Sequence, residues 1–193
     1  AVVPFHMSNV RPAWYPFRYG YWPFHETNLR TYVHLDGRDP GVWFISLDAA
    51  SRFAVWLGRT GWNLNYVFSE MSIEQTDNRI EYQSRRAASR PGDPGEVDLA
   101  LEVGDGVALD GATPGTLEHF LAERYLLYSV DRRQRLYQGR VWHRPYPLRS
   151  AKLLHCRQSL SDASGIPLSD NPDNLLFSEG VTVDIFPLNR LKV

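Results

Sequence analysis

Lysine is almost missing from this chain: of 21 basic side chains only Lys152 and Lys192 are lysine, and the rest are arginine. Chemistry that needs a free amine therefore has two candidates, whereas planar, permanently charged guanidinium groups are abundant. Cysteine is reduced to Cys156, which excludes an internal disulfide and fits a reducing compartment. A small buried hydrophobe is the ordinary role for such a residue. Long apolar runs are also missing; stretches such as Val42-Trp43-Phe44-Ile45 fall far short of the roughly 20 residues that span a bilayer. The N-terminus has no charged-then-apolar export pattern. With a net charge of -1 and a pI near 6.7 there is no basic field for a phosphate backbone. These absences predict a soluble, cytoplasmic protein with neither nucleic acid nor membrane as partner.

Familiar catalytic signatures are absent too. The six histidines, His6, His25, His34, His119, His143 and His155, show no metal-ligand spacing, so no metal is expected. His119 reads as a surface residue on a helix and His143 as the cap of a strand end. There is no Gly-x-Ser-x-Gly elbow, no phosphate-cradling loop and no dinucleotide fingerprint, and no cofactor is expected. Gly104-Asp105-Gly106 reads as a hairpin turn. Glu118 with Glu123, and Asp131 near Arg132 and Arg133, read as solvated charge.

What the sequence does hold is aromatic and β-forming. At 193 residues, with six Trp and ten Tyr, it is sized for one domain and points to strands rather than a helical bundle. Strand patterns occur at 2–10, 29–35, 41–47, 66–74, 79–87, 97–103, 126–130, 135–142, 152–156 and 181–186. So many short strands predict a mostly β fold with a curved, partly closed barrel. Two helices are expected against it. The first runs from Ala49 to about Arg59, with Asp48 as N-cap and Phe53, Trp56 and Leu57 on one face; the second has Thr113 as cap and Pro114 at its first position. The Ser89–Gly95 stretch reads as an exposed loop. The first residues, Ala1-Val2-Val3-Pro4-Phe5, resemble the end of a strand rather than a natural start and predict a trimmed N-terminus.

The most informative segment is Glu26-Thr27-Asn28-Leu29-Arg30-Thr31-Tyr32-Val33. Strand side chains alternate, so Glu26, Asn28, Arg30 and Tyr32 share one face. The following strand, Gly41 to Asp48, is apolar on both faces until its end and reads as buried, with Ser46 near that end, so its neighbour is not wholly exposed. In the strand holding Tyr82, Ser84 and Arg86, alternation with Glu81, Gln83 and Arg85 puts one arginine on each face. An arginine inside a barrel has to be paired or to face a ligand. Arg30 either pairs with Glu26 or receives a carboxylate, for which its planar fork is suited.

Several of these segments carry a resemblance. Pro4-Phe5-His6-Met7-Ser8-Asn9-Val10-Arg11, Glu26-x-Asn28-x-Arg30-Thr31-Tyr32-Val33 and Gly41 through Ala49 resemble the YqjF-like bacterial family, domain of unknown function 2071. So do Tyr82-x-Ser84-Arg85-Arg86, Phe120-Leu121-x-Glu123-Arg124-Tyr125 and His143-Arg144-Pro145-Tyr146-Pro147-Leu148. The resemblance spans nearly the whole chain and implies a single domain over 1–193 without the segment that usually precedes it. It further implies the fold of acetoacetate decarboxylase, an antiparallel, partly closed β-barrel with an interior site. That enzyme class uses a lysine paired with a second lysine to form a Schiff base. Here Trp62-Asn63-Leu64-Asn65-Tyr66 stands where the lysines belong, so the resemblance implies the fold and not that mechanism.

Three functions follow from these readings. In the first the chain binds a small organic acid or similar polar metabolite, with Arg30 as anion anchor and Glu26, Asn28, Tyr32, Ser46, Tyr82 and Arg86 around it. In the second it is a lysine-independent lyase, hydratase or hydrolase with Glu26 as general acid or base. In the third the polar cluster is a closed network, and Trp14, Tyr15, Tyr19, Tyr21 and Trp22 form a partner or homo-oligomer surface.

Overall fold

The computed structural model describes residues 1–8, 23–87, 95–106 and 109–192, the side chains of Leu109 and Asp110 apart. In chain order the elements are β1 (Val2–Met7), β2 (Phe24–Leu35), β3 (Arg38–Ala49), α1 (Arg52–Gly61), β4 (Tyr66–Thr76), β5 (Arg79–Arg86), β6 (Glu96–Val103) and β7 (Leu109–Asp110). They continue with α2 (Leu117–Ala122), β8 (Leu126–Val130), β9 (Leu136–His143), β10 (Pro147–Gln158), α3 (Leu160–Ala163), β11 (Leu176–Ser178), β12 (Val183–Ile185) and β13 (Asn189–Arg190). The aromatic set Trp14, Tyr15, Tyr19, Tyr21 and Trp22, the motif residues Asn9, Val10 and Arg11, and all of the 89–95 loop but Gly95 lie outside the described residues.

The β2–β3 hairpin is the backbone of the architecture, and its turn explains why it forms. Leu35 pairs with Arg38 across Asp36-Gly37, both at positive φ, the conformation whose twist matches that of the flanking strands. β1 lies antiparallel on the outer edge of β2, and β2 on β3. On the far edge of β3 the sheet forks. Leu47, Asp48 and Ala49 pair in parallel with β4, while Val42 and Trp43 pair in parallel with β8. From the first branch the order runs β4-β5-β6-β10-β11 and from the second β8-β9-β12, giving one mixed sheet that curves without closing. Between the branches a register shift separates the Leu29–Ser46 and Arg30–Phe44 pairs. Such bulges bend a strand and increase its twist. Asn65 occupies the fork: its carbonyl accepts from the Leu47 amide at 3.0 Å, and its side-chain amide donates to the Ile45 carbonyl at 3.4 Å. Gly41 allows β3 and β8 to meet, since a Cβ there would lie 2.7 Å from the Leu126 carbonyl oxygen.

The apolar core is built on Leu29, Tyr82, Val97 and Leu160, with Val2, Ile45, Ile73 and Leu99 packed against them. No helix among the described residues is long and apolar enough to cross a membrane.

Both helices begin later than the sequence predicts. α1 starts at Arg52 and is capped by Ser51, whose hydroxyl accepts from the Ala54 amide at 3.2 Å. Asp48, expected as that cap, instead ends inside β3 with no exposed surface, because an arginine across the sheet claims its carboxylate. Val55 and Gly58 face inward, and Phe53 and Trp56, expected on the packed face, are 53% and 59% exposed. α2 is capped by Thr116 rather than Thr113. Gly104-Asp105-Gly106 is not a hairpin turn: the strands on either side of it, β6 and β7, both pair with β10.

Candidate functional site

The alternation of β2 sorts its polar residues by face. Cross-strand partners share a face of the sheet, and the pairs Glu26–Ala49, Asn28–Leu47, Arg30–Phe44 and Tyr32–Val42 form one side, while Thr27–Asp48 and Leu29–Ser46 form the other. The first side runs from a contact with β4 near α1 to a contact with α2.

At its α1 end the Glu26 carboxylate, 3% exposed, accepts from the Tyr66 hydroxyl at 3.0 Å. Burial pushes the Glu26 carboxyl up to about 8; the Tyr66 bond works against this and the Asp48 charge adds to it. Burial, reinforced by the charge and hydrogen bond of Glu26, raises the Tyr66 hydroxyl well above its ordinary value. At neutral pH Glu26 is therefore a protonated acid beside a neutral phenol, a pair that can donate and accept hydrogen bonds. Tyr66 closes the segment Trp62–Tyr66, where the decarboxylase resemblance puts lysines. Gly58 fixes its ring: a Cβ at that position would sit 2.2 Å from Tyr66 Cδ2. Gly58→Ala is expected to cost about 1–3 kcal/mol by overpacking, read from the urea midpoint; an unchanged midpoint would contradict this seating of Tyr66.

At the α2 end Arg30 donates from Nη2 to the Leu121 carbonyl at 2.9 Å, and the Tyr32 hydroxyl donates to the same oxygen at 3.1 Å. The Tyr32 ring packs on Phe120 with centroids 4.7 Å apart. The guanidinium carbon of Arg124 lies 4.4 Å from the Phe120 centroid and 5.7 Å from that of Tyr32, and the guanidinium carbon of Arg30 lies 5.6 Å from the Tyr32 centroid. Three buried atoms on this side have no hydrogen-bond partner among the described residues: Asn28 Oδ1, Arg30 Nε and Arg124 Nε. The alternative of a closed Glu26–Arg30 ion pair is not what the side chains do, since Glu26 is bonded to Tyr66 and Arg30 to a carbonyl.

Glu123 is not the solvated charge its helix position suggests. It is 8% exposed, accepting from the Tyr125 hydroxyl and, at 3.1 Å, from the Tyr146 amide. Next to it Tyr125 stacks on His143 at 4.6 Å. Asp131 likewise pairs with Arg135, not with Arg132 or Arg133, although it caps the Arg133 amide at 2.9 Å. His143 does end its strand, buried, with Nδ1 donating to the Arg144 carbonyl at 2.8 Å.

The remaining predicted residues, Ser46, Tyr82 and Arg86, stand on the other side of the sheet. There Arg86 grips Asp48 with two bonds, Nε to Oδ2 at 2.8 Å and Nη2 to Oδ1 at 3.1 Å, and Ser69 adds a third at 2.9 Å. Tyr82 contacts Thr27 through its hydroxyl, and burial pushes that hydroxyl up to about 12. Ser46 Oγ has no hydrogen-bond partner among the described residues. Arg85, the opposite arginine of β5, points outward to Glu96 at 3.0 Å. Of the seven residues expected together, Glu26, Asn28, Arg30 and Tyr32 thus share a side, and Ser46, Tyr82 and Arg86 line the core behind them. Sequence reasoning missed Tyr66, Glu123, Arg124 and the Leu121 carbonyl, though Glu123 and Arg124 fall in the Phe120–Tyr125 motif. Two surface hollows lie elsewhere, one lined by Asn78, Glu102 and Lys152 and the other by Trp142, Arg144 and Pro145.

The chain resembles known proteins over most of its length. The sequence model of the DUF2071 family, described as an uncharacterized conserved protein, matches residues 1–182. The uncharacterized protein YqjF of Bacillus subtilis (strain 168) is 32% identical over 190 residues, covering 98% of this chain and 76% of the relative. Among solved structures, acetoacetate decarboxylase from Legionella pneumophila superposes with a TM-score of 0.55 at 11% identity, over 90% of this chain and 68% of that one. That likeness speaks for the fold, in agreement with the forked and partly closed sheet. By the family match and by its relative, the chain is a member of the DUF2071 family.

Proposed function

We propose that this protein binds a small organic acid on the Glu26–Tyr32 side of β2, with Arg30 as the anchor for the carboxylate. The observation that carries the reading is the state of Arg30: a guanidinium held by one backbone carbonyl, with no carboxylate partner among the described residues and a buried Nε that bonds nothing. An unsatisfied buried donor on a charged group costs more than 1 kcal/mol, roughly, and an incoming carboxylate removes that cost. Asn28 and the Glu26–Tyr66 pair supply further polar contacts along the same side. Ser46, Tyr82 and Arg86 have core roles in this reading and do not touch the ligand. With one free cysteine and no disulfide, a cytoplasmic setting is part of the proposal.

A thermal-shift screen of small carboxylic and keto acids against the parent and Arg30→Leu tests it. An acid present at about 100 times its dissociation constant adds about 2.7 kcal/mol, a shift of several degrees. The expected result is a shift in the parent that Arg30→Leu loses while staying folded. A shift of equal size in both, or none with any acid, would count against Arg30 as anchor.

A second reading, a lysine-independent enzyme, is favoured by one observation: a Glu26 carboxyl at about 8 is poised to give or take a proton near neutral pH. Loss of turnover with binding retained in Glu26→Gln is its expected signature.

A further inference from the structure

Two guanidinium groups without a carboxylate partner among the described residues lie near one tyrosine. Arg30 and Arg124 lie at nearly the same distance from the Tyr32 ring, 5.6 and 5.7 Å. Each spends a hydrogen bond on a backbone carbonyl, Arg30 on Leu121 at 2.9 Å and Arg124 on Glu123 at 2.8 Å. Each leaves a buried Nε–H with no acceptor among the described residues. The neighbouring carboxylate, Glu123, has both oxygens engaged by Tyr125 and Tyr146. Burial first, and then the charge of Arg30, hold the Arg124 guanidinium below its ordinary value, with Tyr32 and Glu123 opposing. Two like charges close enough to act on one another in a half-buried place are costly until an anion offsets them.

The third unpartnered atom has the opposite character. Asn28 Oδ1 is an acceptor that lacks a donor, two residues from Arg30 on the same side of β2 and therefore roughly 6.7 Å away along the strand. Two orphan donors at one end and one orphan acceptor at the other describe a molecule by its complement. We propose that Arg124 joins Arg30 in clamping a single carboxylate, and that the ligand is a carboxylic acid bearing a hydroxyl or amide N–H some three carbons along, which Asn28 accepts. This rests on the acid-binding reading above and goes beyond it in naming a second anchor and the substituent the acid carries. The Arg124 guanidinium carbon lies over the Phe120 ring, 4.4 Å from its centroid, which holds this cation near Tyr32.

The test is calorimetric titration of the whole chain with butyrate, 4-hydroxybutyrate and inorganic phosphate, repeated with Arg30→Leu, Arg124→Leu, Arg124→Lys and Asn28→Leu. The expected result is that 4-hydroxybutyrate binds about tenfold more tightly than butyrate, the order of effect for satisfying one buried acceptor. Asn28→Leu should erase that preference. Arg124→Leu should weaken both acids by about tenfold or more, and Arg124→Lys should restore only part, because a lysine lacks the planar fork. Arg124→Lys keeps the charge and serves if Arg124→Leu does not fold. Should Arg30→Leu abolish binding while both Arg124 variants bind like the parent, the clamp is overturned and the single-anchor reading stands. Equal affinity for the two acids overturns the donor substituent. Phosphate binding more tightly than either acid overturns the carboxylate class, and no binding of any acid overturns the clamp together with the acid-binding reading.

Discussion

Replacing Arg86 by methionine is expected to destabilise the fold by about 3–5 kcal/mol, because it strands a buried charge. Asp48 has no exposed surface and the Arg86 side chain is 9% exposed, so neither is helped by water. The pair joins β3 to β5 across β4, at the place where the sheet divides, and Ser69 of β4 completes it from between. With Arg86 gone, Asp48 keeps the Ser69 hydroxyl and loses both bonds of a planar fork. Because replacing both members of a buried pair is far milder than removing one, Asp48→Leu combined with Arg86→Met should recover much of the loss. Urea unfolding of the parent, the single variant and the double variant checks this. A single variant within about 1 kcal/mol of the parent would contradict a buried ion pair at this place.

Glu26→Gln is expected to act in the opposite direction, increasingly so as pH rises from about 4.5 to about 8. The folded Glu26 carboxyl titrates at about 8, above its ordinary 4.5. Between those values the native chain holds a proton that the unfolded chain has released. Stability therefore falls as pH rises through this window, by up to about 1.4 kcal/mol per unit for this one group, and levels off above the folded value. The total is a few kcal/mol at most, present as stability below pH 4.5 and lost by pH 9. Glutamine keeps a partner for the Tyr66 hydroxyl and carries no charge to bury, so Glu26→Gln should match the parent near pH 5 and exceed it at pH 9. Urea midpoints of both proteins at the two pH values decide it. A constant difference between them at both pH values would mean that Glu26 does not titrate in this window.

What could be seen in the sequence was set by how local its cause is. The side shared by Glu26, Asn28, Arg30 and Tyr32 follows from strand alternation alone, and the ends of β8 and the starts of β4 and β5 follow from residue pattern. The buried strand Gly41 to Asp48 was legible for the same reason. Asp48 was misplaced because a capping aspartate and a strand-end aspartate look alike until its partner, 38 residues on, is known. Glu123 was misplaced for a similar reason: its partners are a tyrosine two residues away and the amide of Tyr146 in the link between β9 and β10. The division of Ser46, Tyr82 and Arg86 from the other four residues depends on cross-strand register, which alternation within one strand does not contain. The short α3, β7, β11 and β13 escaped because two to four residues carry no periodicity.

The most direct measurement of the central claim is the side-chain resonance of the Arg30 Nε–H in nitrogen-labelled protein, followed as small carboxylic acids are added. The expected resonance moves on titration as a carboxylate takes up the Nε–H donor, with exchange against water slowed and no matching change at Arg86, whose Nε is already bonded to Asp48. An Arg30 resonance that stays fixed while an acid demonstrably binds would contradict Arg30 as the anchor.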